Sequence, residues 1–426
     1  MPPRPRAAEL LPLVPAAALP FLFLHRRYQP SASLGPVDVY LSDVAVLVVV
    51  AAAVVAAVRF GTAPLARGRV LWALAAALLA LAVASCFYAP FDRTTTHFVT
   101  AAKLAEYALL APALVLLLRR RRDVRRFLAA LVVWSAVATV WGALQFLGVV
   151  SEFEGKRPGQ REVSFLGTHD FAALSGAALV IGIVGIVLGR PRFAALVAGA
   201  LGVALAASVF AYAGVVLAAL FAAVASRGTL TARRAGAVAA VVVAVGAGVL
   251  ALRSYDASSF LSFLGVKEST AERSEDVQTG SQRTMLGYIG VRIWRDHPLL
   301  GVGFQRSGHR YEPYLGDAKE RFPDQPAQAY PSPEHEWGVQ NLWIQAAADM
   351  GVVGFAFVVA VFATGLALAV HARPRAPVTA LVAAGWILVA FGTWNGVGLV
   401  SGIPLQALTW LGLGLAAAAG GLALDA

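Results

Sequence analysis

The chain has 426 residues, of which 58% are hydrophobic and 14% charged, and its formal net charge is +11. Soluble domains carry about 25% charged residues, so this composition excludes a water-soluble enzyme, a nucleic-acid-binding module and a disordered chain. The surplus charge is read instead as lysine and arginine held on the cytoplasmic side of a membrane protein, and the single cysteine, Cys86, offers neither an internal disulfide nor a zinc spacing.

A membrane span needs about 20 apolar residues. In chain order such runs fall at 10–24, 39–58, 70–90, 97–118, 127–150, 170–189, 192–207, 209–226, 234–252, 341–370, 376–397 and 404–422, which predicts twelve helices. The first is short and holds Pro12, Pro15 and Pro20. A cleaved signal peptide is the rival reading there, but His25-Arg26-Arg27-Tyr28 follows instead of a small-residue cleavage site. The stretch 192–226 is too long for one span and short for two, which predicts two short helices bent at Phe210-Ala211-Tyr212-Ala213-Gly214. No inverted repeat of the transporter kind is visible.

Charge supports this map. With the N-terminus inside, the inner segments hold eighteen basic residues, six of them arginines at 119–126. The short outer loops hold six: Arg26, Arg27, Arg93, Lys156, Arg157 and Arg161. This asymmetry predicts a multi-pass protein with both termini cytoplasmic. The arginine cluster serves as a topology anchor, with anionic lipid as a further contact.

The chain then divides into 1–252 with helices one to nine, an extracytoplasmic loop subdomain at 253–340, and 341–426 with helices ten to twelve. The loop carries ten basic and twelve acidic residues and is close to neutral. A loop of that length is usually functional. Within it, Met285, Ile289, Ile293 and Trp294 recur at helical spacing, predicting an amphipathic helix at 283–297 that lies along the outer membrane surface.

No phosphate-binding glycine loop, zinc-protease motif or serine elbow is present. No pair of aspartates stands ready for a divalent ion, so neither metal nor cofactor is expected. Four polar clusters remain. Arg157 to Asp170 puts arginines, His169 and Asp170 before the sixth span, where Asp170 also reads as a helix cap. Ser281-Gln282-Arg283 opens the amphipathic helix, a plausible anion site or an ordinary surface arginine. Glu334-His335-Glu336 through Gln340, Asn341, Gln345 and Asp349 leads back into the membrane. Buried Asp349 is either functional or paired with a neighbouring helix. Trp394-Asn395 to Ser401 reads as a turn.

Taken together, these pieces resemble the O-antigen ligase and polymerase superfamily. The matching residues are Arg161-x-x-Ser-Phe-Leu-Gly-Thr-His-Asp-Phe-Ala, Gln282-Arg283-Thr through Trp294-x-Asp296-His297-Pro298-Leu-Leu-Gly301-Val-Gly303, and Gln340-Asn341-Leu-x-x-Gln345-x-x-x-Asp349-x-Gly351-x-x-Gly354. Twelve spans with a large outer loop between the ninth and tenth complete the likeness. The resemblance implies an all-α membrane glycosyltransferase of GT-C-like architecture, which passes a glycan from polyprenyl (undecaprenyl) pyrophosphate to an acceptor hydroxyl, with inversion and without metal. Its site faces the periplasmic or extracellular side of the bacterial inner membrane.

By the same resemblance Arg161 and Arg283 clamp the pyrophosphate, where charge develops on the leaving group. The family histidine falls on Gln340, which cannot take up a proton. His335, five residues earlier, is therefore expected as the base, with His169 as another candidate. Gln340 and Asn341 are expected to orient sugar, and Arg157, His169, Asp170 and Gln345 complete the substrate-binding set. A second departure is Phe210 to Gly214, where many members carry Ser-Arg. The partners implied are a lipid-linked glycan, a glycan or lipid–glycan acceptor and membrane lipid, with no nucleic acid and a monomeric protein. Ligase, polymerase and protein-glycosylating members share the donor and differ in acceptor. A twelve-helix transporter and a non-catalytic relative that only binds the lipid-linked glycan are the competing readings.

Overall fold

The computed structural model describes residues 10–422 apart from 36, 89–93, 151–157, 254–278, 324, 326 and 334–336. It is built of helices, with one two-stranded hairpin among the described residues. In chain order these are α1 (Val14–Leu22), β1 (Ser31–Leu34), β2 (Val37–Tyr40), α2 (Leu41–Phe60), α3 (Arg69–Ser85), α4 (Thr94–Ala108), α5 (Leu110–Leu117), α6 (Arg121–Phe146), α7 (Thr168–Val187), α8 (Phe193–Ala206), α9 (Val209–Ala225) and α10 (Ala232–Leu252). After them come α11 (Thr279–Asp296), α12 (Glu312–Arg321), α13 (Leu342–Ala372), α14 (Pro377–Thr393) and α15 (Pro404–Ala419).

Among the described residues seven helices are long and apolar enough to cross a membrane, including Leu41–Phe60, Arg121–Phe146 and Leu342–Ala372. The shorter apolar helices Leu11–Leu22, Phe193–Ala206, Val209–Ala225, Pro377–Thr393 and Pro404–Ala419 fall on the remaining expected runs. Val133, Val140 and Val243 are more than half exposed on the outside of the bundle. Such a surface suits hydrocarbon and not water; the chain is a polytopic membrane protein.

α7 and α15 form the centre, with nearly every residue of both buried. α8, α9 and α14 pack around α7. Small residues allow the close approaches: a Cβ on Gly392 would stand 2.7 Å from the Cα of Gly214, so α9 and α14 cross almost backbone to backbone. That contact explains Gly214, which lies inside α9 and not at a bend. The break expected at 210–214 falls earlier, at Ala207, whose φ is +45°. Ser208 then caps α9 by accepting from the Ala211 amide at 3.4 Å.

The predicted 283–297 helix begins one turn sooner, at Thr279. Its apolar face does not lie on the bilayer. Met285, Leu286, Ile289 and Ile293 are buried against Tyr311, Tyr314 and Ala318 of the α12 region and against Ala348 of α13. The helical periodicity marks a buried face whose partners are the α12 region and α13.

α13 is interrupted. Gly351 has φ +67° and ψ −166°, and any Cβ there would strike the Leu299 carbonyl. The chain after α11 fills the gap: Val302 and Gly303 donate to the carbonyls of Ala348 and Asp349 at 3.0 and 2.8 Å, and Val352 donates to Pro298 O at 2.8 Å. The His297-Pro298-Leu-Leu-Gly-Val-Gly stretch and the Asp349-x-Gly351 stretch are thus two halves of one seam, which satisfies backbone groups that hydrocarbon could not.

Candidate functional site

The segment Arg161–Gly167 is held tightly before α7 begins. Glu162 N donates to Leu205 O at 2.8 Å. Ser164, at φ +55°, donates from its hydroxyl to Ala138 O at 2.8 Å and accepts from Gln145 Nε2 at 3.2 Å. Phe165 packs against Trp134 and Trp141, and its carbonyl accepts from His25 N at 3.1 Å. This turn therefore ties α6, α8 and the end of α1 to one place. α7 then starts from Gly167 (φ +96°), an N-cap without a side chain to close the first-turn amides.

Around that open helix start lies a cavity of about 450 Å³. Its wall takes His25 and Arg26 from the end of α1, Arg161, Thr168, His169 and Asp170 from the α7 entrance, Arg283 from α11, and the 397–404 turn before α15. Two helix N-termini, those of α7 and α15, meet there. Among the described residues three arginines line the cavity and Asp170 is its one carboxylate. Positive helix ends and guanidiniums together give this wall a positive potential, the electrostatics that favour an anion.

Asp170 is not the N-cap of its helix, which starts two residues earlier at Thr168 with Gly167 as N-cap. Its Oδ1 accepts from Leu405 N at 2.8 Å, joining the starts of α7 and α15. Arg283 donates from Nε to Gln340 Oε1 at 2.9 Å and from Nη2 to His169 Nε2 at 3.1 Å. An arginine can only donate, so His169 Nε2 accepts, and the ring proton sits on Nδ1. That Nδ1 is buried without a partner among the described residues. His169 is therefore set as a neutral donor, not as a free base. Arg283 itself lies one turn inside α11, so the helix-start reading of Ser281-Gln282-Arg283 does not hold.

Of the residues singled out by sequence, Arg161, His169, Asp170 and Arg283 line one cavity, and Gln340 stands directly behind Arg283. Asn341 and Gln345 do structural work. Asn341 Oδ1 caps α13, accepting from Trp343 N at 3.0 Å and Ile344 N at 3.1 Å. Gln345 accepts from Leu399 N at 2.5 Å and donates to Asp349 Oδ2 at 3.1 Å. Fully buried Asp349 also accepts from the amides of Gln305 at 3.0 Å and Ser307 at 2.9 Å, so it anchors the seam from below. His335 and Arg157 lie outside the described residues.

Sequence reasoning missed His25, Arg26 and the 397–404 wall. The basic run 25–27 bears in sequence only on cleavage and on the charge count of the outer loops, and the 394–401 segment reads as a turn. Nothing local in either segment signals that they meet across the molecule.

Residues 163–359 match the family described as O-antigen ligase. No curated protein matches the chain significantly.

Proposed function

We propose that this chain, which matches the O-antigen ligase family over residues 163–359, belongs to that superfamily and transfers a glycan from a polyprenyl pyrophosphate carrier to an acceptor hydroxyl on the outer face of the bacterial inner membrane. The observation that carries this reading is the cavity in which Arg161 and Arg283 converge on the uncapped N-terminus of α7. A lipid pyrophosphate leaving group gathers negative charge as the glycosidic bond breaks. Preorganised guanidiniums and helix amides in a site of low dielectric stabilise that charge without a metal.

In this reading Arg283 is aimed by its two bonds, to Gln340 and His169. Neutral His169 donates from Nδ1 to a phosphate or sugar oxygen. His335 remains the proposed base for the acceptor hydroxyl, because His169 has its accepting nitrogen occupied by Arg283. Attack by the hydroxyl opposite the departing pyrophosphate gives inversion. The arginine-rich helix ends belong to the cytoplasmic side by the positive-inside rule, which puts the cavity outside and both termini inside.

The test is transfer of a polyprenyl-pyrophosphate-linked glycan by the purified protein, followed with wild type, Arg283→Ala and His335→Ala. Product from wild type and loss with both variants is expected. Unchanged rates in both variants would sink the site assignment, and uptake into proteoliposomes without transfer would favour a transporter.

A further inference from the structure

The cavity reaches beyond residues 163–359. Its far wall holds Arg26, on the short 3-10 turn Arg26–Tyr28 that follows α1. One N–H of this arginine, on Nη2, donates to Ser401 O at 2.6 Å. Its Nε is buried and makes no hydrogen bond to the described residues, and none of their carboxylates pairs with it. The guanidinium lies 5.5 Å from the centre of the Tyr40 ring, against which Lys103 Nζ also lies, at 4.9 Å. The two cations differ in their state. Lys103 is neutralised by Asp43 at 2.7 Å, whereas Arg26 keeps its charge for the cavity. Gly402 leaves both side chains their room, since a Cβ there would stand 3.3 Å from Arg26 Nη2 and 3.4 Å from Lys103 Cδ.

Among the described lining residues three arginines stand with one carboxylate, Asp170. A sugar joined to a lipid through a pyrophosphate carries two negative charges; one joined through a single phosphate carries one. We propose that Arg26 is a third anion-binding arginine of this cavity, taking the second phosphate of the donor and so selecting pyrophosphate-linked over monophosphate-linked sugars. The proposal rests on the reading above that the cavity takes a polyprenyl-linked donor.

Two probes with the same lipid and the same sugar, one linked through pyrophosphate and one through phosphate, separate the possibilities. Binding to the full-length protein in detergent or nanodiscs is measured for wild type, Arg26→Gln, Arg26→Ala, Arg283→Ala and the neighbouring Arg27→Ala. Wild type should prefer the pyrophosphate probe. Arg26→Gln should lose about tenfold on that probe and change less than about twofold on the other, while Arg27→Ala leaves both unchanged. Glutamine keeps a donor for the Ser401 carbonyl, so this variant still reports if Arg26→Ala fails to fold, as thermal unfolding will show. Equal losses on both probes, or no loss, would overturn the role of Arg26. Loss with Arg283→Ala but none with Arg26→Gln would leave the function intact and remove only this proposal. Failure of wild type to bind either probe would remove both.

Discussion

Arginines at the two ends of the bundle do opposite work. At the end where α2, α5, α13 and α15 finish, they spend their N–H groups on backbone carbonyls. Arg119 donates to Leu116 O at 2.9 Å, Phe60 O at 3.2 Å and Gly61 O at 3.0 Å, and Arg121 donates to Arg375 O at 2.7 Å. The three carbonyls that Arg119 bonds close α5 and α2, at negative helix ends where a cation belongs. At the other end, Arg161, Arg283 and Arg26 surround helix N-termini, which already carry partial positive charge. Cations gathered at positive helix ends raise the free energy of the empty site, and an anion lowers it. The same side chain thus lies against negative helix ends at one pole and beside positive helix ends at the other, and helix polarity tells the two settings apart where arginine counts do not.

The contrast can be broken most directly at Arg283. Its replacement by alanine should cut glycan transfer by about 10²–10³-fold and leave thermal unfolding almost unchanged; a rate within threefold of wild type would put this arginine in the structural class. Asp349→Ala should do the reverse in kind. Stranding the amides of Gln305 and Ser307 and the Gln345 side chain should cost about 2–4 kcal/mol of stability, read as a lower melting temperature, and activity should fall with it. Should Asp349→Ala melt like wild type yet fail in transfer, Asp349 would move into the chemistry.

Arg119→Ala is the matched experiment at the opposite end. Loss of its carbonyl contacts should destabilise by about 1 kcal/mol, while transfer measured on the folded fraction stays at the wild-type rate. Weakened donor binding in this variant would erase the distinction between the ends. Smallest of all should be Arg126→Ala, an exposed arginine outside the carbonyl contacts described. Its unfolding and transfer should both match wild type, and only the fraction of molecules inserted in the correct orientation should respond, measured by protease accessibility of the termini.

The sequence was most informative where chemistry is repeated locally. Apolar runs located every apolar helix, because a span must satisfy its own backbone and this leaves an unbroken signature. Arg161, His169, Asp170 and Arg283 were legible as one cavity because their motifs resembled a family, not because any spacing joined 161 to 283. Other features were hidden for physical reasons. The break at Ala207 rests on a left-handed alanine, which composition does not betray. Gly214 looked like a hinge and is a helix-crossing contact. Gln345 reads by position as a substrate contact and Asp349 as either functional or paired, and only the fold shows their partners at Leu399, Gln305 and Ser307, which come from distant segments. Arg26 was invisible as a site residue for the same reason.

The bond from Arg26 to Ser401 spans 375 positions of the chain. Its consequence concerns biogenesis. The first helix enters the membrane with one side of the cavity, and the opposite wall is not synthesised until the turn before α15. A ribosome-bound chain that has finished the whole matched segment still lacks one wall of the cavity, so a product truncated before residue 397 would carry the matched motifs without the 397–404 wall. Insertion of the last two helices is then the step that completes the cavity as well as the fold.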